Sequence, residues 1–471
     1  MDQGAQKEQT TPKEVSGGKE KAPKEPPPKD IIKESPKEFP SGPVPADVRT
    51  AKYYHGMIPR VDAEAQLHAC GDYLLRRAES NQGMFVVLSI KRESGFCHIP
   101  LSLDKETKHF FFDPAVKEPT VTDVIGVHIS RGLPVNVRWN ICLKKPIHRP
   151  VWLLRHDDVT LVKKIGAGAF GEVFLARMLD PTSEYQLDCA VKTMKQEAST
   201  EAKLRFFKEA RMMRKNYRHN NIVMIFGMAT LSNPLLIVME LCPNGSLISY
   251  LRKNKGKVSA LEKLRFIYEA ASGLAYLESQ RCIHRDVAAR NCLLSAKNDI
   301  KISDFGLADD RVLVVDHSLD KLPIKWLAPE TMQEKIYSLK SDIWAFGIMV
   351  WETYADGDEP YPGLSNVQAR AKIVAQDYRM PLPEETPPEV VAIVDVCWDK
   401  NPDKRRQMSV HATALLQIYE AKAPAPYLST APSPVSPSPI IPMVPLTPTL
   451  TPSTDPSLPP SEILFSSVKP E

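Results

Sequence analysis

No run of apolar residues in this sequence approaches the roughly 20 needed to cross a bilayer; the longest, such as Ile343–Trp351, stop well short. Nor is there much excess charge of either sign. Lys and Arg number 61 against 57 Asp and Glu, a formal net of +4, so nothing in the balance argues for a nucleic-acid partner or for adhesion to anionic membrane, and any basic site must be local. The eight cysteines (70, 97, 142, 189, 242, 282, 292 and 397) have no CxxC or Cys/His metal spacing. Most sit in apolar runs, as reduced thiols that pack like small hydrophobes, and a reducing compartment follows. The Lys/Glu/Pro-rich beginning has no apolar core of the kind a leader carries. Asp2 stands where myristoylation needs glycine, and the end Val468-Lys-Pro-Glu471 has no cysteine to prenylate. A cytoplasmic chain is expected, reaching the plasma membrane only through partners.

At 471 residues the chain exceeds one compact domain and suits two folded units with tails. Residues 1–50 alternate Lys and Glu among prolines and read as a disordered tail, because such a composition cannot offset chain entropy by burial. Dense regions follow at 53–145 and 159–420. Between them, 146–158 reads as a linker from its prolines and charges, with Trp152 large enough to need a surface on the following domain. Residues 424–471 are Pro/Ser/Thr-rich, with PxxP spacings at Pro434/Pro437, Pro439/Pro442, Pro442/Pro445 and Pro445/Pro448. These registers fit an SH3 groove, although no arginine flanks them, which favours a plain solvated tail. Ser436 and Thr447 precede proline as candidate phosphosites.

What the chain does contain is four motifs in order. Gly166-Ala-Gly168-Ala-Phe170-Gly171-Glu-Val173 lets the backbone approach phosphate oxygens, with Phe170 at the tip of the loop. Cys189-Ala190-Val191-Lys192 follows on a second strand, and the helical run Phe206-Phe207-Lys208-Glu209-Ala210 supplies a carboxylate to hold Lys192, its apolar stripe being Leu204, Phe207 and Ala210. His284-Arg285-Asp286-Val-Ala-Ala-Arg290-Asn291 then precedes Asp304-Phe305-Gly306 by thirteen positions, counted from Asn291 to Asp304. The pattern is that of phosphoryl transfer: Asp286 accepts a hydroxyl proton, and Asn291 and Asp304 hold Mg2+ against the phosphates of ATP. Ile165, Gly166, Gly168, Phe170, Gly171, Val173, Ala190 and Lys192 are the candidate nucleotide residues.

In the first dense region, a helix is expected over Val61–Ala69, stopped by Gly71. Tyr73-Leu74-Leu75-Arg76 and Met84–Ile90 read as strands. An arginine directly after an apolar triplet points into the domain, where it needs an internal carboxylate or a dianionic ligand.

Together these stretches resemble known families. Tyr54-His55-Gly56 with Ile58, Arg60 and Ala63-Glu64, then Tyr73–Arg76, Phe96-Cys97-His98-Ile99 and Thr122–Ile125 resemble an SH2 domain, a central antiparallel sheet flanked by two helices. The resemblance implies that Arg76 binds phosphotyrosine bidentately, that Arg60 assists and that His98 lines the pocket. Where that family usually has an acidic residue after the strand arginine, this chain has Arg77. Residues 159–420 resemble a bilobal protein kinase, giving an α+β multidomain protein. The resemblance implies that the hinge holds adenine through the backbone at Glu240 and Cys242, with Met239 as gatekeeper. Arg290 and the platform Leu322-Pro323-Ile-Lys-Trp326 are similar to those of tyrosine rather than serine/threonine kinases. The junction Trp152–Leu161 resembles the Fes/Fer group, in a short form, since residues 1–48 offer no membrane-bending coiled coil. Some short members of that family are tied to sperm development. The implied activity is transfer of the ATP γ-phosphate to protein tyrosine, with recruitment or activation by phosphotyrosine proteins. An SH2 adaptor with a weak kinase is the alternative.

One departure stands out. Between Gly306 and Pro323 there is no tyrosine, so the loop switch that the resemblance implies is missing. Asp316 falls at its place. It either supplies about one fixed charge where a phosphotyrosine brings about two, or is merely solvated; Ser318 phosphorylation is a third option.

Overall fold

The computed structural model describes residues 44–80, 83–167, 171–179, 185–195, 198–213, 217–316 and 323–423. Gly168, Phe170, Ser318, the PxxP tail with Ser436 and Thr447, and most of the first tail lie outside the described residues.

The first unit is built on Asp72–Ser80 and Gly83–Lys91, paired antiparallel, with Phe96–Pro100 antiparallel beyond. Strand alternation sends Tyr73 and Leu75 to one face, into a cluster with Val121, Val124 and Ile125 of the helix Val121–Ser130. Leu74 goes to the other face, against Ile58, Ala63 and Leu67, and Arg76 shares its parity. The sheet is not wholly antiparallel. Tyr54–Met57 and Lys145–Pro146 both pair parallel with Asp72–Ser80, because each arrives through a crossover rather than a hairpin.

Three expectations need correction. The unit begins earlier than residue 53: Ala46–Thr50 is helical, and Val44 and Val48 are buried in the core. Two valines four apart within a charged, Pro-rich stretch leave too small an apolar signal to read. The helix expected over Val61–Ala69 spans only Arg60–Glu64, because the backbone N–H groups of His68 and Ala69 donate to Asp72 Oδ2 at 3.0 and 2.8 Å instead of extending the ladder. The stretch 146–158 is docked on the following domain, as Trp152 implied, but it is strand at both ends and not a plain linker. Pro146 belongs to the first sheet and Leu153–Leu154 forms the edge strand of the next, parallel to Met228–Ala229. Trp152 lines a small cavity with Phe207, Ala210 and Met228.

The second unit opens with a six-stranded sheet in the order Leu153–Leu154, Ile225–Ala229, Leu236–Glu240, Gln186–Thr193, Glu172–Leu179 and Val159–Ala167. The helix Thr200–Met213 buries Phe206, Phe207 and Ala210, whereas Leu204 is exposed and not part of its packed stripe. The helical lobe is centred on Leu339–Tyr354, buried from Ser341 to Tyr354. The long apolar run is thus a core helix, hydrophobic all round because it is surrounded. Among the described residues no helix is long and apolar enough to cross a membrane.

Candidate active site and ligand pocket

Register in the small-lobe sheet puts Val173 opposite both Gly166 and Lys192, and Ala190 opposite Met239. The glycine strand, the lysine and the strand that ends at Glu240 therefore line one cleft. Ile165 is half exposed on its rim, and Cys242 is partly buried just beyond that strand. Gly171 is required by close approach: a Cβ there would fall 1.6 Å from the Thr193 carbonyl oxygen. Lys192 Nζ donates to Glu209 Oε1 and Oε2 at 2.9 and 2.6 Å and lies 3.8 Å from Asp304 Oδ1. Burial alone would pull this ammonium down, but the Glu209 and Asp304 carboxylates outweigh it and hold its pKa above the usual range.

The catalytic loop is braced from beneath. Asp342, fully inside the core helix, accepts the backbone N–H of His284 and Arg285 at 2.7 and 2.9 Å. Burial pushes its pKa up to about 6 against the pull of His284 and those hydrogen bonds. Asn291 Nδ2 donates to the Asp286 carbonyl at 2.7 Å and to Asp286 Oδ2 at 2.8 Å, and Arg290 pairs with Asp286 Oδ1. Asn291 Nδ2 is thereby committed, and its Oδ1 is the atom left for a ligand. Asp304, with 42% of its side chain exposed, holds a left-handed φ of 64°, and Arg285 one of 69°. Strained backbone of this kind concentrates at functional sites. One carboxylate and one amide oxygen form a hard donor set that fits a divalent cation sharing substrate phosphates.

Glu352 carries no motif signal. Glu352 Oε2 accepts both the Ala289 N–H at 2.9 Å and Trp326 Nε1 at 3.0 Å, and Arg290 lies over the Trp326 ring at 4.7 Å. One buried carboxylate thus joins the catalytic loop to the expected substrate platform. Its only trace in the sequence is a glutamate in an otherwise apolar run. Arg405 makes a bidentate pair with Glu330 at 2.7 and 2.9 Å. Asp316 is not merely solvated: its Oδ2 accepts Arg285 Nη2 at 2.8 Å.

In the first unit Arg76 is buried, donating through Nε to Ser89 Oγ at 3.1 Å and through Nη1 to the Ile58 carbonyl at 3.5 Å. Among the described residues no carboxylate reaches ion-pair distance from it. Burial and the neighbouring Arg60 draw its pKa down to about 10, which still leaves it cationic at neutral pH. His98 stands beside it, Nδ1 on Ser89 Oγ at 2.9 Å and Nε2 on Glu64 Oε1 at 3.0 Å. Arg60 is 61% exposed and holds Glu64 Oε1 at 2.7 Å. Ser89 and Glu64 complete this cluster, and no motif singled out Ser89. Beyond Arg76 the strand continues to Ser80 and the next begins at Gly83, with residues 81 and 82 outside the described residues.

The buried histidines make stability depend on pH. Burial lowers His55, His98 and His411 to about 4 from the ordinary 6.5. Between those values the unfolded chain binds protons that the folded chain refuses, so stability is present above 6.5 and lost as pH falls. These histidines pull Tm down from pH 7 to pH 5, against Glu269 and Asp342, whose carboxyls burial raises to about 7 and about 6 and which favour the folded state over the same range. Differential scanning fluorimetry should show a smaller drop in His55→Gln/His98→Gln.

The two units meet at the helix that carries Glu209. Arg211 forms a bidentate pair with Asp62 at 2.7 and 3.1 Å, and Lys203 holds Glu79 at 2.7 Å. The Met57 N–H donates to the Thr230 carbonyl at 2.8 Å and Thr230 Oγ1 to the His55 carbonyl at 2.7 Å. Gly56, at φ +69°, sits where a Cβ would come within 2.2 Å of the Thr230 oxygen.

A cleft of this geometry, with an arginine pocket seated on its small lobe, defines a protein kinase preceded by an SH2 domain. Residues 53–128 match the SH2 domain family, and residues 159–415 match the family described as protein tyrosine and serine/threonine kinase. Fer-related kinase 1 of Caenorhabditis elegans is 51% identical over 379 residues, 80% of this chain and 96% of that protein. Tyrosine-protein kinase Fer of Rattus norvegicus is 38% identical over 360 residues, 76% of this chain but only 42% of that protein. Spermatocyte protein spe-8 of Caenorhabditis briggsae is 33% identical over 385 residues, 81% of this chain and 73% of that protein. The chain belongs to the Fes/Fer-type protein-tyrosine kinases. ATP and a divalent metal ion serve its kinase domain, and phosphotyrosine proteins are the ligands of its SH2 domain.

Proposed function

We propose that this chain phosphorylates protein tyrosines from Mg2+-ATP and is recruited or activated when its SH2 domain binds phosphotyrosine. The observation that carries the reading is the assembled catalytic set: Lys192 closed on Glu209, Asp304 beside Lys192, and Asn291 locked onto Asp286. Asp286 takes the proton of the substrate hydroxyl, and Arg290 holds that carboxylate in place. Lys192 binds the α- and β-phosphates, with Glu209 fixing its ammonium; Asn291 and Asp304 hold Mg2+, which neutralises charge on the phosphates when bound. Ile165, Val173 and Ala190 enclose the adenine, whose edge bonds the backbone at Glu240 and Cys242, and Gly166, Gly168, Phe170 and Gly171 cover the phosphates. Arg76 receives the phosphotyrosine phosphate, with Arg60 and His98 beside it.

Because Asp62 and Glu79 grip the helix that bears Glu209, ligand binding is coupled to the Lys192–Glu209 pair. The chain works in the cytoplasm and meets the plasma membrane through phosphorylated partners; its PxxP tail offers SH3 proteins a further contact. Likeness to a spermatocyte protein supports a role in sperm development.

The test is phosphotransfer by the full chain onto a mixed tyrosine and serine peptide pool, with and without a phosphotyrosine peptide, beside Asp62→Lys. We expect tyrosine labelling alone, stimulated by the peptide, and a fall of about fivefold or more in Asp62→Lys, because an ion pair becomes a repulsion on the helix of Glu209. Serine labelling would sink the specificity, and unchanged activity in Asp62→Lys would sink the coupling.

A further inference from the structure

Arg285 precedes Asp286, and its guanidinium is only 3% exposed. Three stretches converge on it. Nη1 donates to the Leu307 carbonyl at 3.4 Å, Nη2 to Asp316 Oδ2 at 2.8 Å, and the group lies over the Tyr337 ring at 4.1 Å. Among the described residues Asp316 is the carboxylate that the Arg285 side chain bonds; stripping a buried guanidinium of that partner would be strongly destabilising, so Asp316 governs where Arg285, and with it the catalytic loop, can rest. Asp316 is itself positioned. Its N–H donates to the Lys335 carbonyl at 3.2 Å, directly after Leu313–Val315 pairs antiparallel with Ile336–Ser338.

A second carboxylate of the same segment acts at its other end. Asp309 accepts Lys208 Nζ at 3.1 Å from the helix that carries Glu209, and Arg311 at 2.8 and 2.9 Å. Its backbone exchanges both hydrogen bonds with Ile283, each 2.8 Å. The segment after Asp304 is thus fastened to the helix at Asp309 and to the catalytic loop at Asp316, both times by charge encoded in the sequence, and between Gly306 and Pro323 there is no tyrosine to phosphorylate.

We propose that Asp316 is a positioning residue that replaces loop phosphorylation: its pairing with Arg285, seconded by Asp309 on Lys208, holds the catalytic arrangement in the unphosphorylated chain. This rests on the kinase reading above. The chain is regulated through the SH2 contact and not through phosphorylation of this segment.

The experiment uses the full chain after treatment with a tyrosine phosphatase and a serine/threonine phosphatase, compared with Asp316→Asn, Asp316→Glu and Asp286→Asn. The dephosphorylated wild type should keep its turnover to within about twofold, while Asp316→Asn lowers kcat by roughly tenfold to a hundredfold with KM for ATP nearly unchanged, since nucleotide groups are untouched and only the catalytic loop loses its hold. Asp316→Glu, which keeps the charge, should recover at least about a third of the wild-type kcat. A merely packing role would not distinguish the isosteric Asn from the longer Glu in this order. A loss of about tenfold or more on dephosphorylation would overturn the proposal in favour of a modified residue such as Ser318, and wild-type kinetics in Asp316→Asn would overturn it outright. If Asp316→Asn does not fold, as judged by its melting curve, the dephosphorylation and Asp316→Glu arms decide. Wild-type labelling no higher than that of Asp286→Asn would instead defeat the underlying kinase reading.

Discussion

Asp286→Asn lowers the turnover of a tyrosine peptide by at least about a thousandfold, while KM for ATP stays within about threefold. Two effects add. The carboxylate proposed to accept the substrate proton is gone, and the new amide group must face donors on both sides, Arg290 Nη2 and Asn291 Nδ2. With the amide oxygen turned to the Arg290 cation, its NH2 meets Asn291 Nδ2, donor against donor, which loosens the very asparagine that fits the metal. The nucleotide cleft, built from the small-lobe sheet and Lys192, is untouched. Steady-state kinetics with radiolabelled ATP, plus phosphoamino-acid analysis, reads both quantities. A loss smaller than about tenfold would remove Asp286 from the role of base.

Arg76→Lys weakens binding of a phosphotyrosine peptide by about a hundredfold, whereas Arg60→Ala weakens it by only about two- to fivefold. The difference follows from their surroundings. Arg76 is buried, its fork oriented by Ser89 Oγ and the Ile58 carbonyl, and without a carboxylate in reach among the described residues. A lysine brings a point charge that cannot keep the same orientation and bond phosphate in two places. Arg60 lies on the rim and already shares its charge with Glu64, and surface pairs of that kind are worth little. Fluorescence anisotropy on the full chain would measure both, with melting curves to verify folding. The reverse order of effects would move the phosphate site outward, onto the helix Arg60–Glu64.

Much of this is legible in the sequence. Asp286, Asn291 and Asp304 lie within nineteen positions of chain, counted inclusively, and phosphoryl transfer tolerates few alternatives to those residue types. The glycines before Val173 and the lysine on the next strand were legible because close approach to phosphate leaves little chemical choice, and Arg76 because an arginine inside an apolar strand must answer to something. By contrast, Glu352, Ser89, Lys208 and Asp309 are ordinary residues at ordinary spacing. Their partners lie tens of positions away, as with Glu352 and Ala289 or Lys208 and Asp309. The short helix at Arg60–Glu64 was overestimated because the acceptor that ends it, Asp72 Oδ2, comes from the next strand.

The sequence by itself determined the chemistry of this protein, since chemistry depends on residue types held at short, fixed separations, and it determined the two units, since each has its own apolar periodicity. Only the tertiary structure decided how those parts are wired. That Asp316 faces Arg285 and is not left to solvent, that Asp62 reaches Arg211 on the helix of Glu209, and that residues 145–154 contribute a strand to each sheet in turn are facts of distance. Ion pairs and edge strands form between groups that folding brings within about 3 Å of one another, and no local pattern along the chain records which distant groups those will be.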